Sequence, residues 1–221
     1  MVKVNSMERL IDSGLEELTV MVFKMGGVAE KALSVSINSF IEGKDYSKNV
    51  HELSEILVNR TVEVEEKSFG LIAKYQPVAS DLRIINSYMK VAYDFERFGR
   101  YAWDISFVAT RFNAKNSKCD EWIFEYIRKM AEQVLQMVQV SINTLRRLDP
   151  DLVKNMTEQE NEVDKAYFDF LNKLVEQASI TNECTVSSVL VVRYLERIAD
   201  HAMHIMEAVV YVATGEKVTL R

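Results

Sequence analysis

The chain has 221 residues, of which 48% are hydrophobic and 27% are charged, and its formal net charge is −6. This length and composition predict a globular protein with room for a sizeable core. No apolar stretch approaches the roughly 18–20 residues that a membrane-spanning helix needs, and no secretory signal is visible, so we expect a cytoplasmic protein without membrane insertion. An acidic chain without a basic block also argues against binding nucleic acid.

Helix-favouring patterns fill most of the chain. It holds only 7 Gly and 2 Pro, and apolar residues recur at alternating spacings of four and three, as they do along one face of a helix. The pattern is interrupted at several points, where residues typical of helix ends and helix caps occur. Together these features predict six long helices, over roughly 6–41, 46–75, 81–112, 120–148, 150–178 and 182–214.

Local signals set the breaks between these helices. Gly43 is typical of the residue that follows a helix, and Asp45 can cap the next one. Pro77 ends the second helix because the residue before a proline is disfavoured in helical conformation. Asp149 followed by Pro150 is typical of a cap and a first helical turn, so it predicts the start of the fifth helix.

The order of these features repeats along the chain. The segment 95–99 of the third helix corresponds to the segment 195–199 of the sixth, because both carry Glu-Arg at the same place in an apolar pattern. We therefore predict an all-α fold of two tandem antiparallel three-helix bundles, formed by residues 1–114 and 115–221.

The second repeat carries acids at positions that the apolar pattern reserves for the core. Glu196 and Asp200 lie one turn apart in the sixth helix, and Glu160 and Asp164 lie one turn apart in the fifth. Acids at this spacing repel each other, so burying them needs opposite charge or bound cations. Converging carboxylates would suit Fe, Zn, Mg or Mn, and His204, one turn beyond Asp200, could add an imidazole.

Ion pairing without a metal is the alternative use of these acids. Arg193, Arg197 and Lys165 lie close to them along the same helices, and most helical acids are neutralised in this way. The spacing by itself does not decide between the two.

The first repeat has the acidic pattern in altered form. Glu55 is followed four residues later by Asn59, and Glu96 is followed by Arg100. Arg100 can neutralise Glu96 or Glu55 directly, as a metal would in the second repeat. We therefore expect weak or absent metal binding in the first repeat.

Other chemistry finds little support in the sequence. Cys119 and Cys184 are the only cysteines, and their spacing matches neither a metal nor a redox motif, so we predict that both remain thiols in a cytosolic setting. The glycines form no phosphate-binding loop, and no local signature of a nucleophilic catalyst is present. These observations indicate a protein that is not an enzyme.

Two segments resemble the PhoU family of phosphate-transport regulators, and the resemblance extends over nearly the whole chain. The first is Gln76-Pro77-Val78-Ala79-Ser80-Asp81-Leu82-Arg83 followed by the Glu96-Arg97 helix, and the second is Tyr194-Leu195-Glu196-Arg197-Ile198-Ala199-Asp200-His201-Ala202. The resemblance implies two three-helix bundles whose Glu/Asp-x-x-x-Asp motifs hold metal ions or multinuclear clusters. The positions that match this motif are Glu160, Asp164, Glu196 and Asp200, with weaker matches at Glu55 and Glu96.

The resemblance also implies a role and partners. The family is similar in role to an adaptor that joins the ATPase of a phosphate-importing ABC transporter to a sensor histidine kinase, and that damps phosphate uptake and phosphate-starvation signalling. Membrane association would then be peripheral and through partners, and assembly as a homodimer stays open.

Two other functions fit an acidic helical bundle. A ferritin-type di-metal carboxylate protein normally uses Glu-x-x-His on two helices, and this chain contains no such sequence. A metal-free helical scaffold would tolerate neutral residues at Glu160 and Glu196.

Overall fold

The computed structural model describes residues 9–112, 119–176 and 182–220. Six long helices make up most of this part of the chain, and a short 3₁₀ helix over Pro150–Val153 precedes the fifth. The helices are α1 Asp12–Glu42, α2 Ser47–Tyr75, α3 Ala79–Phe112, α4 Glu121–Arg147, α5 Met156–Val175 and α6 Asn182–Thr214. The predicted all-α fold of six long helices is confirmed. The predicted boundary at residue 114 lies outside the described residues.

The turns between helices follow the predicted signals. Gly43 has a φ of 68° and donates its backbone N–H to Ser39, which ends α1 in the left-handed conformation that glycine adopts easily. The carboxylate of Asp45 accepts hydrogen bonds from both the backbone and the hydroxyl of Ser47 at the start of α2. Gln76, before the proline, is left-handed at the end of α2.

The first helix begins later than predicted. Residues 9–11 form a turn, in which Asp12 donates its backbone N–H to the Arg9 carbonyl and accepts from the Arg9 backbone and guanidinium. The Arg9 guanidinium also binds Asp81 at 2.7 Å, which ties this turn to α3. Local ion pairing therefore replaces the helical turn here, and Ser6, where the helix was predicted to begin, lies outside the described residues.

The prediction of one uninterrupted fifth helix from Pro150 is wrong. The carboxylate of Asp149 accepts from the backbone N–H of Asp151, and the following bonds join residues three apart, which is the 3₁₀ pattern. Lys154 and Asn155 then form a turn before α5 begins at Met156. The predicted end of this helix, Ala178, lies outside the described residues.

Packing joins the two three-helix units into one core. Helices α1, α2 and α3 pack together, as do α4, α5 and α6, while α3 also packs against α6 and α1 against α4. Gly26 marks the close approach of α1 to α4, because a Cβ there would lie 3.3 Å from side-chain atoms of Ile142 and Phe95. The fully buried side chains come from both units, and the largest are Phe40, Phe95, Phe98 and Phe170.

The prediction of two free thiols is also wrong. Cys119, just before α4, and Cys184, in the first turn of α6, form a disulfide bond. Sequence spacing excludes only local cysteine motifs, whereas this pair is 65 residues apart and meets through the packing of α4 on α6.

Hydropathy within the described residues gives no candidate for a membrane span: none of the helices there is both long and apolar enough to cross a bilayer.

Candidate functional site

The predicted acids of the second repeat lie where α5 packs against α6. Glu196 and Asp200 of α6 are 8% and 7% exposed, and Glu160 of α5 is 4% exposed. Asp164 is half-buried. The apolar pattern of both helices requires this burial, since each acid occupies a position between core residues. Three of the four predicted carboxylates are therefore withdrawn from water.

Arginines of α6 pair with its two acids. Arg193 Nη1 donates to Glu196 Oε1 at 2.7 Å, and Arg197 Nη1 donates to Asp200 Oδ2 at 2.8 Å. The Arg193 guanidinium also lies 5.5 Å from the centre of the Tyr167 ring of α5, which links the ion pair to the neighbouring helix. The ion-pairing use of these acids is thus present in the structure.

One oxygen of Glu196 is left incompletely satisfied by these arginines. Glu196 Oε2 lies 3.4 Å from Arg197 Nε, yet it is buried and accepts no hydrogen bond. Burial, and then the neighbouring carboxylate of Asp200, raise the pKa of Glu196 to about 7, with Arg193 opposing the shift and Asp164 adding to it. Acids from both helices therefore act on the same buried carboxylate.

The first repeat differs at the corresponding positions. Glu55 and Asn59 are exposed on α2. Glu96 is mostly buried, and its Oε1 accepts from Arg100 Nε at 2.8 Å. The predicted neutralisation of Glu96 by Arg100 is confirmed. Of the two acids predicted as weaker ligands in this repeat, one is therefore exposed and the other is already bound by a cation.

A second group of side chains that could hold a metal ion lies between the two repeats. Asp94 of α3 meets His201 and His204 of α6, with one ligand atom from each within 4.8 Å of the others. Among the described residues, these three form the one group of three or more His, Cys, Asp or Glu side chains whose ligand atoms come this close to one another. Within the described ranges, no three of the four predicted acids reach that spacing, so of the predicted ligands only His204 belongs to this group.

Asp94 and His201 were not predicted as site residues from the sequence. Asp94 lies between Val91 and Phe98, which are buried on the core face of α3. A carboxylate within an apolar pattern is therefore the sequence feature that could have identified Asp94. His201 directly follows Asp200 in the Glu-Arg segment of α6. Their pairing depends on how α3 packs against α6, which spacing within one helix does not show.

Comparison with known proteins identifies the family. A sequence model of the PhoU domain matches residues 22–108 and 127–209, one segment in each three-helix unit. The chain belongs to the PhoU family. A Pseudomonas putida protein named phosphate-specific transport system accessory protein PhoU homolog is 30% identical over 210 residues, which are 92% of this chain and 80% of that protein.

Other PhoU proteins share the full length and the fold. A Clostridium acetobutylicum homologue of the same name is 29% identical and is aligned over 96% of this chain and 98% of its own. The crystal structure of PhoU from Pseudomonas aeruginosa superposes with a TM-score of 0.87 at 28% identity, covering 93% of this chain and all of that one. The Streptococcus pneumoniae regulatory protein PhoU, at 19% identity and a TM-score of 0.75, shows the fold alone.

Proposed function

We propose that this PhoU family member is a cytoplasmic, non-enzymatic regulator that restrains a phosphate-importing ABC transporter and its sensor histidine kinase. The match of the PhoU domain model to both repeats carries this proposal. Relatives aligned over nearly the whole chain are named as accessory proteins of phosphate-specific transport, which supports a role in phosphate uptake. Contact with the membrane would then be indirect, through the ATPase of the importer.

The acids between α5 and α6 are the metal site that we propose for this regulator. Glu160, Asp164, Glu196 and Asp200 would hold it, and the buried Glu196 Oε2, which accepts no hydrogen bond, fits a role as a ligand. Among the described residues, no three of these carboxylates have ligand atoms within 4.8 Å of one another, so a bound ion would have to draw them together. Bound metal would supply positive charge that offsets the mutual repulsion of the acids.

A metal-free scaffold is the second candidate, and the arginine pairs favour it. Arg193 and Arg197 already neutralise part of the charge on Glu196 and Asp200. Under this alternative, neutral residues at the acids would leave function unchanged and would raise stability, since buried ion pairs are often replaceable.

Phosphate uptake in cells tests the regulatory role. The gene is deleted in the source organism, and phosphate uptake and a phosphate-starvation reporter are followed in phosphate-replete medium. We expect both to rise on deletion and to return to normal with the wild-type gene. A tagged copy should also recover an importer ATPase from replete cells. Unchanged uptake and reporter in the deletion strain, with no importer subunit recovered, would contradict the proposed role.

Metal analysis of purified variants tests the site separately. Glu196→Gln should lose most of the bound metal, whereas Glu183→Gln, an exposed acid in the first turn of the same helix, should retain it. Equal metal content in both variants and the wild-type protein would favour the scaffold.

A further inference from the structure

We propose that Asp94, His201 and His204 bind a single first-row transition-metal ion, with Zn²⁺ as the representative, and that this ion joins the first repeat to the second. Asp94 belongs to α3 and both histidines belong to α6. The site is separate from the carboxylates between α5 and α6 and does not depend on the proposed function.

Distances among the three side chains suit a small ion. Asp94 Oδ1 lies 2.8 Å from His201 Nδ1 and 3.7 Å from His204 Nδ1. Ligand atoms around a tetrahedral Zn²⁺, at metal–ligand distances of about 2.0–2.2 Å, are roughly 3.4 Å apart. Binding would therefore need Asp94 and His201 to separate slightly, while the distance from His204 Nδ1 to Asp94 Oδ1 is already close to this value. One ligand atom from each of the three side chains lies within 4.8 Å of the others.

Burial prepares the carboxylate for a cation. Asp94 is 4% exposed, and a buried carboxylate is costly unless charge or hydrogen bonds compensate it. The His201 ring is held in place by aromatic neighbours on α3, with centroid distances of 5.8 Å to Tyr101 and 6.2 Å to Tyr93. Asp94 and His201 are therefore buried and in contact with each other without a bound ion.

The ligand set selects the class of metal. Two imidazoles and one carboxylate favour Zn²⁺, Fe²⁺, Co²⁺ or Ni²⁺ over Mg²⁺ and Ca²⁺, which prefer all-oxygen ligands. Three protein ligands leave at least one coordination position for water or another small ligand. The group does not include Asp200, whose carboxylate is bound by Arg197 at 2.8 Å.

A cavity next to the three side chains gives the open coordination position of the metal access to solvent. Asp94 and His204 line a cavity of about 480 Å³, together with Lys90, Glu207 and Lys217. The His204 side chain is 40% exposed, so an ion can reach the site without opening the interface between α3 and α6.

Titration with Co²⁺ tests the site, because its visible d–d absorption reports the ligands and the coordination number. The protein is first stripped with a chelator, and competition with Zn²⁺ then gives the affinity for Zn²⁺. His204→Ala should weaken binding by at least the roughly 10–100-fold that loss of an outer-shell partner costs. Asp94→Asn provides a second variant. His51, the third histidine of the chain, lies against Trp103. The control variant His51→Ala should therefore leave the Co²⁺ spectrum unchanged.

A variant of the acidic site distinguishes the histidine site from the acids between α5 and α6. We expect Glu196→Gln to keep the Co²⁺ bands of the histidine site, whatever it does to the total metal content. Circular dichroism is used to check that the His204→Ala variant is folded, as we expect for a partly exposed side chain. Absence of Co²⁺ bands in the wild-type protein, or equal bands in wild type, His204→Ala and Asp94→Asn, would overturn the proposal and leave the uptake experiment unaffected.

Discussion

Asp94 of α3 and His201 of α6 meet through an Oδ1–Nδ1 contact of 2.8 Å, which connects the first repeat to the second inside their interface. Both side chains are largely buried, with 6% and 13% exposed. The two repeats are thus joined by a specific polar contact as well as by apolar packing.

Asp94→Ala should lower the free energy of unfolding by about 1–3 kcal/mol, because it leaves the polar atoms of His201 without this partner. Urea denaturation with a chelator present measures the change. A double-mutant cycle with His201→Ala should give a coupling energy above about 0.5 kcal/mol. Additive effects of the two substitutions would show that the contact contributes nothing of its own.

Glu196→Gln should change how stability depends on pH. The pKa of Glu196 is raised from its ordinary value of 4.5 to about 7 in the folded protein. Below pH 4.5 the Glu196 carboxyl group is protonated in both the folded and the unfolded protein. Between pH 4.5 and 7 it is ionised in the unfolded chain but still protonated in the folded protein. Wild-type stability should therefore fall across this window relative to Glu196→Gln, by about 2–3 kcal/mol, and stay level above it.

Thermal or urea unfolding of the metal-free proteins at pH 4.5, 6 and 8 checks this window. Glu183→Gln serves as the control, because Glu183 is exposed and should give parallel curves. A constant difference between wild type and Glu196→Gln at all three pH values would contradict a raised pKa.

Reduction of the Cys119–Cys184 disulfide should destabilise the protein. The bond closes a loop of 65 residues, and chain-entropy arguments give about 4 kcal/mol for a loop of this size. Unfolding with and without reductant measures the loss. The Cys119→Ser/Cys184→Ser variant should match the reduced protein and should not respond to reductant. Identical stability of the oxidised and reduced wild type would contradict the cross-link.

Restoring acids in the first repeat should raise its affinity for metal. Asn59→Asp with Arg100→Asp recreates two Glu-x-x-x-Asp pairs and removes the guanidinium that binds Glu96 at 2.8 Å. We expect the metal bound per chain to increase over wild type under the same conditions. Arg100→Gln alone is the control, since it removes the cation without adding a carboxylate. Unchanged metal content in the double variant would show that the lost acids do not explain the asymmetry between repeats.

Most of the fold follows from local sequence. Apolar spacing and punctuating residues such as Gly43 and Pro77 act within one or two helical turns, so they predict the helices and most of their ends. The exceptions depend on particular side chains: the Asp12–Arg9 pairing delays α1, and the Asp149 carboxylate favours a 3₁₀ turn before α5.

Less of the candidate site could be predicted, because contacts between helices decide it. The burial of Glu160, Glu196 and Asp200 follows from their positions in apolar patterns. The Asp94–His201 pair and the disulfide join residues far apart in sequence, and neither a helix period nor a local motif reports such contacts.

Anomalous diffraction from crystals of the metal-loaded protein shows whether the second-repeat acids hold metal, because it locates each ion and identifies its element. We expect anomalous density beside Glu160, Asp164, Glu196 and Asp200 in the second repeat, and none beside Glu55 and Glu96. No density at the second-repeat acids, or equal density at both repeats, would contradict it.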